Sequence, residues 1–355
     1  MENLQKLDNE SLTEFANKLA SIYNNQNTKN LKKGKGQFFT PVSVAKYMAS
    51  LANFEKEEIN ILDPGAGVGI LSTALIEELL KNGRIKKINL VCYETDNNIL
   101  PYLKQVLEET KKSLNGKIFF KYSILDKNFI SLNANLLITN TETKNEVKRL
   151  LFDVVIANPP YFKINKSDLP LAKFKDIISG QPNIYYLFMA ISAKLLNEEG
   201  QMIFITPRSF CSGLYYNKFR KWLIEQVNFT NIHLFHSRKE LFASEDVLQE
   251  NIITRFTKKD QDKVTISKTF NGDFSNIQKI RVLKQDVAYK SNGHIFFRIP
   301  SNEQELNVIR LLDTLQYNFY KLGIKISTGK VVAFRNKPHL QNSISKDSVP
   351  LFSHH

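Results

Sequence analysis

The sequence predicts an α/β fold: a doubly wound parallel sheet covered by helices, followed by a smaller α+β domain. Three observations predict it. Short apolar strands alternate with helical periodicities from about residue 59 to residue 256. The run Phe152–Ala157 is apolar on both faces, as a strand buried in a parallel sheet is. After Thr257 the texture changes to a charged connector, TKKDQDK, and then to short strands with one helix. These features divide the chain into a catalytic-type domain over 1–257, with a helical extension at 1–36, and a second domain over 258–355.

The elements follow in order. Leu12, Phe15, Leu19, Ile22 and Tyr23 recur at helical spacing, and Ser11 with Glu14 forms a capping-box pattern. Pro41 suits the first turn of the next helix, with Thr40 as its N-cap, and that helix runs through Val44, Tyr47, Met48 and Leu51. A strand at 59–62 ends at Asp63 and enters the Gly-rich turn DPGAGVG, after which a helix spans about 71–80. Strand 88–94, helix 98–112 and strand 118–122 come next. Beyond strand 152–157 lie a helix at 184–196, a strand at 202–206, a helix at 216–226 and strands at 231–235 and 251–256. Ser301 opens the last helix, 303–315.

Composition narrows the function classes. At 355 residues, with 42% hydrophobic and 24% charged, the chain has material for a large core, and disorder or a fibrous repeat is disfavoured. Two cysteines, Cys92 and Cys211, fit a reducing compartment and no paired-cysteine metal site. No membrane span or secretory signal is read, so a cytoplasmic protein is expected. The net charge of +14 favours a polyanionic partner, and +8 of it lies in 258–355. The six histidines form no ligand pair, and neither a nucleophile elbow nor a phosphate-binding loop of the GxxxxGK type occurs.

Two constellations carry the chemistry. In the first, Gly65 and Gly67 lie in a turn between strand and helix, where a ligand can approach the backbone beside a helix N-terminus. Glu94 ends the next strand and can accept hydrogen bonds from a ribose, which fits either NAD or S-adenosylmethionine. The second is Asn158-Pro159-Pro160-Tyr161, directly after the buried strand and so at the carboxyl edge of the sheet. The amide oxygen of Asn158 and the carbonyl of Pro159 could each accept one N–H from an exocyclic amine. They would draw the nitrogen toward tetrahedral geometry and free its lone pair for in-line attack on a sulfonium methyl. The prolines stiffen the loop, and Tyr161 offers a ring on which a base can stack.

With these motifs the chain resembles the DNA adenine-N6 methyltransferases of restriction-modification systems, of the TaqI type, over roughly 34–257. The resemblance implies a Rossmann-like fold, S-adenosylmethionine as methyl donor, and a flipped-out adenine in double-stranded DNA as substrate. It also implies site roles. Thr40, in GQFFTP, would contact the methionine end of the cofactor, and Asp63 its amino group. Glu94 would bind the ribose, Asp126 the adenine amino group with Phe129 in the same pocket, and Phe162 would wall the adenine pocket. Tyr161 and Phe242 would sandwich the target base. The segment 324–337 is similar to the start of a recognition domain, so 258–355 is expected to hold a truncated one. A monomer is expected, with a cognate restriction endonuclease as a further partner. Methylation of RNA, of a protein glutamine or of cytosine N4 stays open, as does a non-catalytic DNA-binding subunit with this fold.

Overall fold

In the computed structural model, the residues described are 4–26, 39–137, 150–163, 174–179, 183–235, 250–270 and 272–317, with short pieces beyond. The chain divides into two compact units, Met1–Ile309 and Arg310–His355. In the second unit the described residues include the end of one helix and a 3-10 turn at Lys337–His339.

The first unit is built on a nine-stranded sheet. Its strands are β1 (Glu58–Asp63), β2 (Lys87–Tyr93), β3 (Phe119–Leu125), β4 (Phe152–Ala157) and β5 (Leu196–Pro207). They are followed by β6 (Asn228–Phe235), β7 (Asn251–Thr257), β8 (Lys263–Phe270) and β9 (Asp273–Leu283). The order across the sheet is β3-β2-β1-β4-β5-β7-β6-β8-β9. From β3 to β5 every neighbour is parallel. The expected all-parallel sheet does not continue: β7 runs antiparallel to both β5 and β6. Consecutive strands β6 and β7 pair directly as antiparallel neighbours. The connector 257–263, where the sequence reading sets its boundary, joins two strands of this one sheet, and the compact unit runs on to Ile309.

Helices cover both faces. On one side lie α1 (Leu12–Gln26), α2 (Val42–Ser50), α3 (Ile70–Leu80) and α4 (Leu100–Leu114), packed on Ile61, Leu90, Val154 and Ile203. On the other, α5 (Phe129–Asn133), α6 (Ile184–Leu195) and α7 (Asn217–Gln226) pack on Leu62, Val155, Met202 and Phe204. All six residues of β4 are buried, the pattern of a strand covered on both faces. A short helix α8 (Lys284–Val287), the hairpin β10 (Ala288–Ser291) and β11 (His294–Phe297), and α9 (Glu303–Thr314) complete the chain order.

The capping signal acts where it was read at α1 but not at α2 or α9. At α9 the Glu305 N–H donates to Asn302 Oδ1 at 2.8 Å, so Asn302 and not Ser301 caps the helix. The capping box of α1 is present: Ser11 N–H donates to Glu14 Oε2 at 3.0 Å, and Glu14 N–H to Ser11 Oγ at 3.1 Å. At α2 the N-cap position falls on Pro41 and no side chain caps the helix. Thr40, one residue ahead of the N-cap position, does not serve as the expected cap; its hydroxyl accepts from the Asn158 amide.

Candidate active site at the switch point of the sheet

The strand order reverses between β1 and β4. The chain first builds outward through β2 and β3, then returns to place β4 beside β1, with Leu62 level with Val155. Helices therefore diverge to opposite faces at this point and leave a crevice at the carboxyl ends of the two strands. The loops entering it are the Gly-rich turn after β1 and the Asn158 loop after β4.

A cavity of about 460 Å³ fills the crevice. Its wall contains Thr40, Gly65, Gly67, Glu94, Asn158 and Phe162, six of the residues singled out in the sequence. Gly67 turns the chain with φ +54°, and a Cβ there would stand 3.1 Å from the Phe39 ring. Gly69 (φ +93°) holds the N-cap position of α3, where a left-handed residue is needed. Both glycines are thus demanded by the backbone.

Glu94 ties the crevice together. Its Oε2 accepts from Gly67 N–H at 3.0 Å, and its Oε1 accepts from the N–H groups of Thr95 and Asp96, each at 2.8 Å. Burial pushes its carboxyl up from the usual range, and these three backbone donors oppose the shift. Asp96 also lines the cavity and accepts from the Tyr23 hydroxyl at 3.3 Å. The first helix is therefore part of the pocket's support, and burial pushes Tyr23 up to about 12. The sequence alone assigns Asp96 no role and places Tyr23 on the apolar side of its helix.

Two expected cofactor contacts stand elsewhere. Asp63 is fully buried and does not line the cavity. The Ser72 hydroxyl, 2.7 Å away, holds one of its oxygens toward α3. Burial pushes its carboxyl up to about 7. Asp126 is exposed and also outside the cavity wall; Lys127, Asn128 and Phe129 line it instead. Asn128 begins α5, its Oδ1 accepting from Ser131 N–H at 2.9 Å, and this cap turns the chain so that Phe129 enters the core. Phe129, expected in this pocket beside Asp126, does line it, whereas Asn128 was not singled out because an acid was expected at that place.

At the Asn158 loop, Asn158 Nδ2 donates to Thr40 Oγ1 at 3.1 Å. Its Oδ1 accepts from the Tyr161 hydroxyl at 2.7 Å, and the carbonyl of Ile205 lies 2.9 Å from the same hydroxyl. Pro159 is buried, whereas Pro160 and Phe162 face the cavity. The loop is pinned to the start of α6, where Ile184 N–H donates to the Phe162 carbonyl at 2.9 Å. Tyr161 meets Tyr185 edge-on at 6.2 Å, and burial raises its hydroxyl well above the ordinary tyrosine range. Phe242, expected to stack on a base, lies outside the described residues.

Comparison with known proteins finds relatives along most of the chain. The family model described as Eco57I restriction-modification methylase matches residues 80–242. The type II methyltransferase M.PstI of Providencia stuartii is 33% identical over 345 residues, covering 96% of this chain and 66% of its own length. M.BsuBI of Bacillus subtilis, also a type II methyltransferase, is 33% identical over 321 residues, covering 89% of this chain and 62% of the relative. The chain is thus similar to the type II restriction-modification methyltransferases. It spans about two thirds of the length of these relatives.

Solved structures agree on the fold. A class I S-adenosylmethionine-dependent methyltransferase from Listeria monocytogenes superposes with a TM-score of 0.55 at 18% identity, covering 74% of this chain and 75% of that one. A type I modification subunit from Vibrio vulnificus gives 0.57 at 14% identity, covering 86% and 67%. The chain therefore has the Rossmann-like core found in class I S-adenosylmethionine-dependent methyltransferases. Among its described residues, no helix is long and apolar enough to cross a membrane.

The residues of the crevice fit that cofactor. The Glu94 carboxylate, the Asn128 amide beside the Phe129 ring, and the Thr40 hydroxyl line one apolar-walled cavity. A sulfonium nucleoside needs this donor and acceptor set.

Proposed function

We propose that the chain transfers a methyl group from S-adenosylmethionine to N6 of an adenine flipped out of duplex DNA, as the modification part of a restriction-modification system. The observation that carries this reading is the bonding of Asn158 on both sides of its amide, at the rim of a cavity that also presents Glu94. Bound S-adenosylmethionine supplies an electrophilic methyl on sulfur. Glu94 and Gly67 would hold its ribose, Asn128 and Phe129 its adenine, with Phe162 as a wall and Thr40 toward the methionine end.

The chain's own chemistry lies in the Asn158 loop. Thr40 accepts from the amide nitrogen and Tyr161 donates to the amide oxygen. A carboxamide oxygen carries two acceptor sites, and in the proposed reaction it accepts an N–H of the incoming amine. With the carbonyl of Pro159 as a second acceptor, the loop favours the pyramidal, positively charged nitrogen that develops during transfer. Because these dipoles are set by the fold, they need no reorganisation as charge appears. The nitrogen loses its proton after transfer, so no strong general base is required.

Tyr161 and Phe242 are the proposed stacking partners for the extrahelical base. Target recognition is assigned to the region after 258, where the +8 balance supplies phosphate contacts. The test is sequencing of methylated DNA from cells that express the chain, followed by labelled methyl transfer to duplex DNA, RNA and protein with the purified protein. N6-methyladenine at a defined site in duplex DNA is the expected product. N4-methylcytosine, methyl-RNA or methyl-protein as the only product overturns the reading.

A further inference from the structure

Between β5 and α7 the chain forms two short 3-10 turns, Arg208–Cys211 and Leu214–Tyr216. Between them they hold a pair of large side chains out in solvent: Leu214 is 71% exposed and Tyr215 70%. A single exposed leucine or tyrosine needs no explanation. Here the mounting calls for one.

Directly beneath the turn lies Arg220, fully buried, which spends its guanidinium on backbone carbonyls. It donates through Nη1 to Phe210 O at 2.9 Å and Gly213 O at 2.7 Å, and through Nε to Ile295 O. An interior arginine used this way carries a desolvation cost, and what it fixes is the backbone on either side of Cys211–Gly213. Gly213 is enclosed, since a Cβ there would meet Ser209 O at 2.8 Å and the Tyr216 ring at 2.9 Å. The tip is therefore held rigidly although its side chains are bare.

The turn also stands next to the catalytic loop. Tyr216 stacks on Tyr185 with ring centres 6.1 Å apart, and Tyr185 meets Tyr161 edge-on at 6.2 Å. β5, which leads into the turn, supplies the Ile205 carbonyl that approaches the Tyr161 hydroxyl. The surroundings suit a polyanion: residues 200–224 include Arg208, Lys218, Arg220 and Lys221 and no acidic residue. Arg208, Lys218 and Lys221 are exposed.

We infer that Leu214 and Tyr215 form a wedge that enters the base stack of duplex DNA beside the target adenine and holds the vacated space open. This rests on the proposed DNA adenine methylation. An adenine inside a duplex must leave the stack before its amine can reach Asn158, and rigid apolar side chains lower the cost of unstacking by filling the gap. Basic neighbours position the backbone on either side of the gap.

The experiment compares the full chain with its L214S/Y215S variant on two duplexes carrying the site identified by methylome sequencing. One is fully paired; in the other the target adenine faces an abasic site and is already free to leave. The wedge is expected to be worth tenfold or more in kcat/KM on the paired duplex and less than threefold on the abasic one, with cofactor affinity and Tm unchanged. Equal losses on both duplexes would make the tip an ordinary DNA contact, and no loss on either would make it a bystander; each result overturns the wedge. If the unaltered chain methylates neither duplex, the underlying function falls, and the wedge with it.

Discussion

Asn158 and Thr40 lie 118 residues apart in sequence and share a 3.1 Å hydrogen bond, amide nitrogen to hydroxyl oxygen, at the mouth of the crevice. Through this bond the segment ahead of α2 fixes which end of the Asn158 amide faces which neighbour. Tyr161 completes the arrangement from the other side. In the proposed reaction Thr40 is therefore a positioning residue for the Asn158 amide, in addition to lining the cavity.

Thr40→Val, which keeps shape and removes the acceptor, is expected to lower kcat about tenfold while leaving the cofactor Kd within about threefold, in line with the loss of one hydrogen bond. Thr40→Ser should restore most of kcat. Steady-state kinetics alongside equilibrium cofactor binding separates the two effects, and a loss confined to cofactor affinity would contradict the positioning role.

Asn158→Ala removes the acceptor aimed at the amine. Methyl transfer should fall by roughly 10²–10³-fold or more, the range for removing one preorganised group at a developing charge. Cofactor binding, measured by calorimetry, should persist. Loss of both together, with a lowered Tm, would identify Asn158 as a folding residue.

Asn128 and Asp126 make a paired test of the adenine subsite. Asn128 lines the cavity and caps α5, whereas Asp126 is exposed and outside the wall. Asn128→Ala is expected to weaken cofactor binding about tenfold and to cost about 1 kcal/mol of stability through the lost cap. Asp126→Ala should change neither by more than twofold.

Asp63 gives a pH dependence. Its folded-state value of about 7 lies above the unfolded carboxylate value near 3.8, so between these limits the folded chain binds more protons than the unfolded one. The contribution is fully present below pH 3.8 and is lost as pH rises through 7. Thermal melts should show Tm falling from pH 5 to pH 8, and Asp63→Asn should reduce that fall. An identical pH profile in the variant would mean the buried carboxyl does not titrate in this window.

The order of strands and helices up to residue 257 was legible because periodicity, capping residues and turn glycines are local. The Ser11–Glu14 box, the buried run Phe152–Ala157 and the turn at Gly67 each act within a few residues of themselves. The two motif loops were legible for the same reason, and β1 and β4, being neighbours, bring them to one crevice. The reversed strand β7 was not, since apolar alternation carries no direction.

What the sequence determined by itself, then, was the α/β succession, the Gly-rich turn, the Asn-Pro-Pro-Tyr loop and the basic balance of the region after 258. Tertiary structure alone decided which side chains meet: Thr40 on Asn158, Tyr23 on Asp96, Asn128 in place of Asp126, and Asp63 drawn back onto Ser72. A polar side chain in a loop takes its direction from whichever donor or acceptor the packed helices bring within about 3 Å. That partner can lie anywhere in the chain, so no local pattern encodes it.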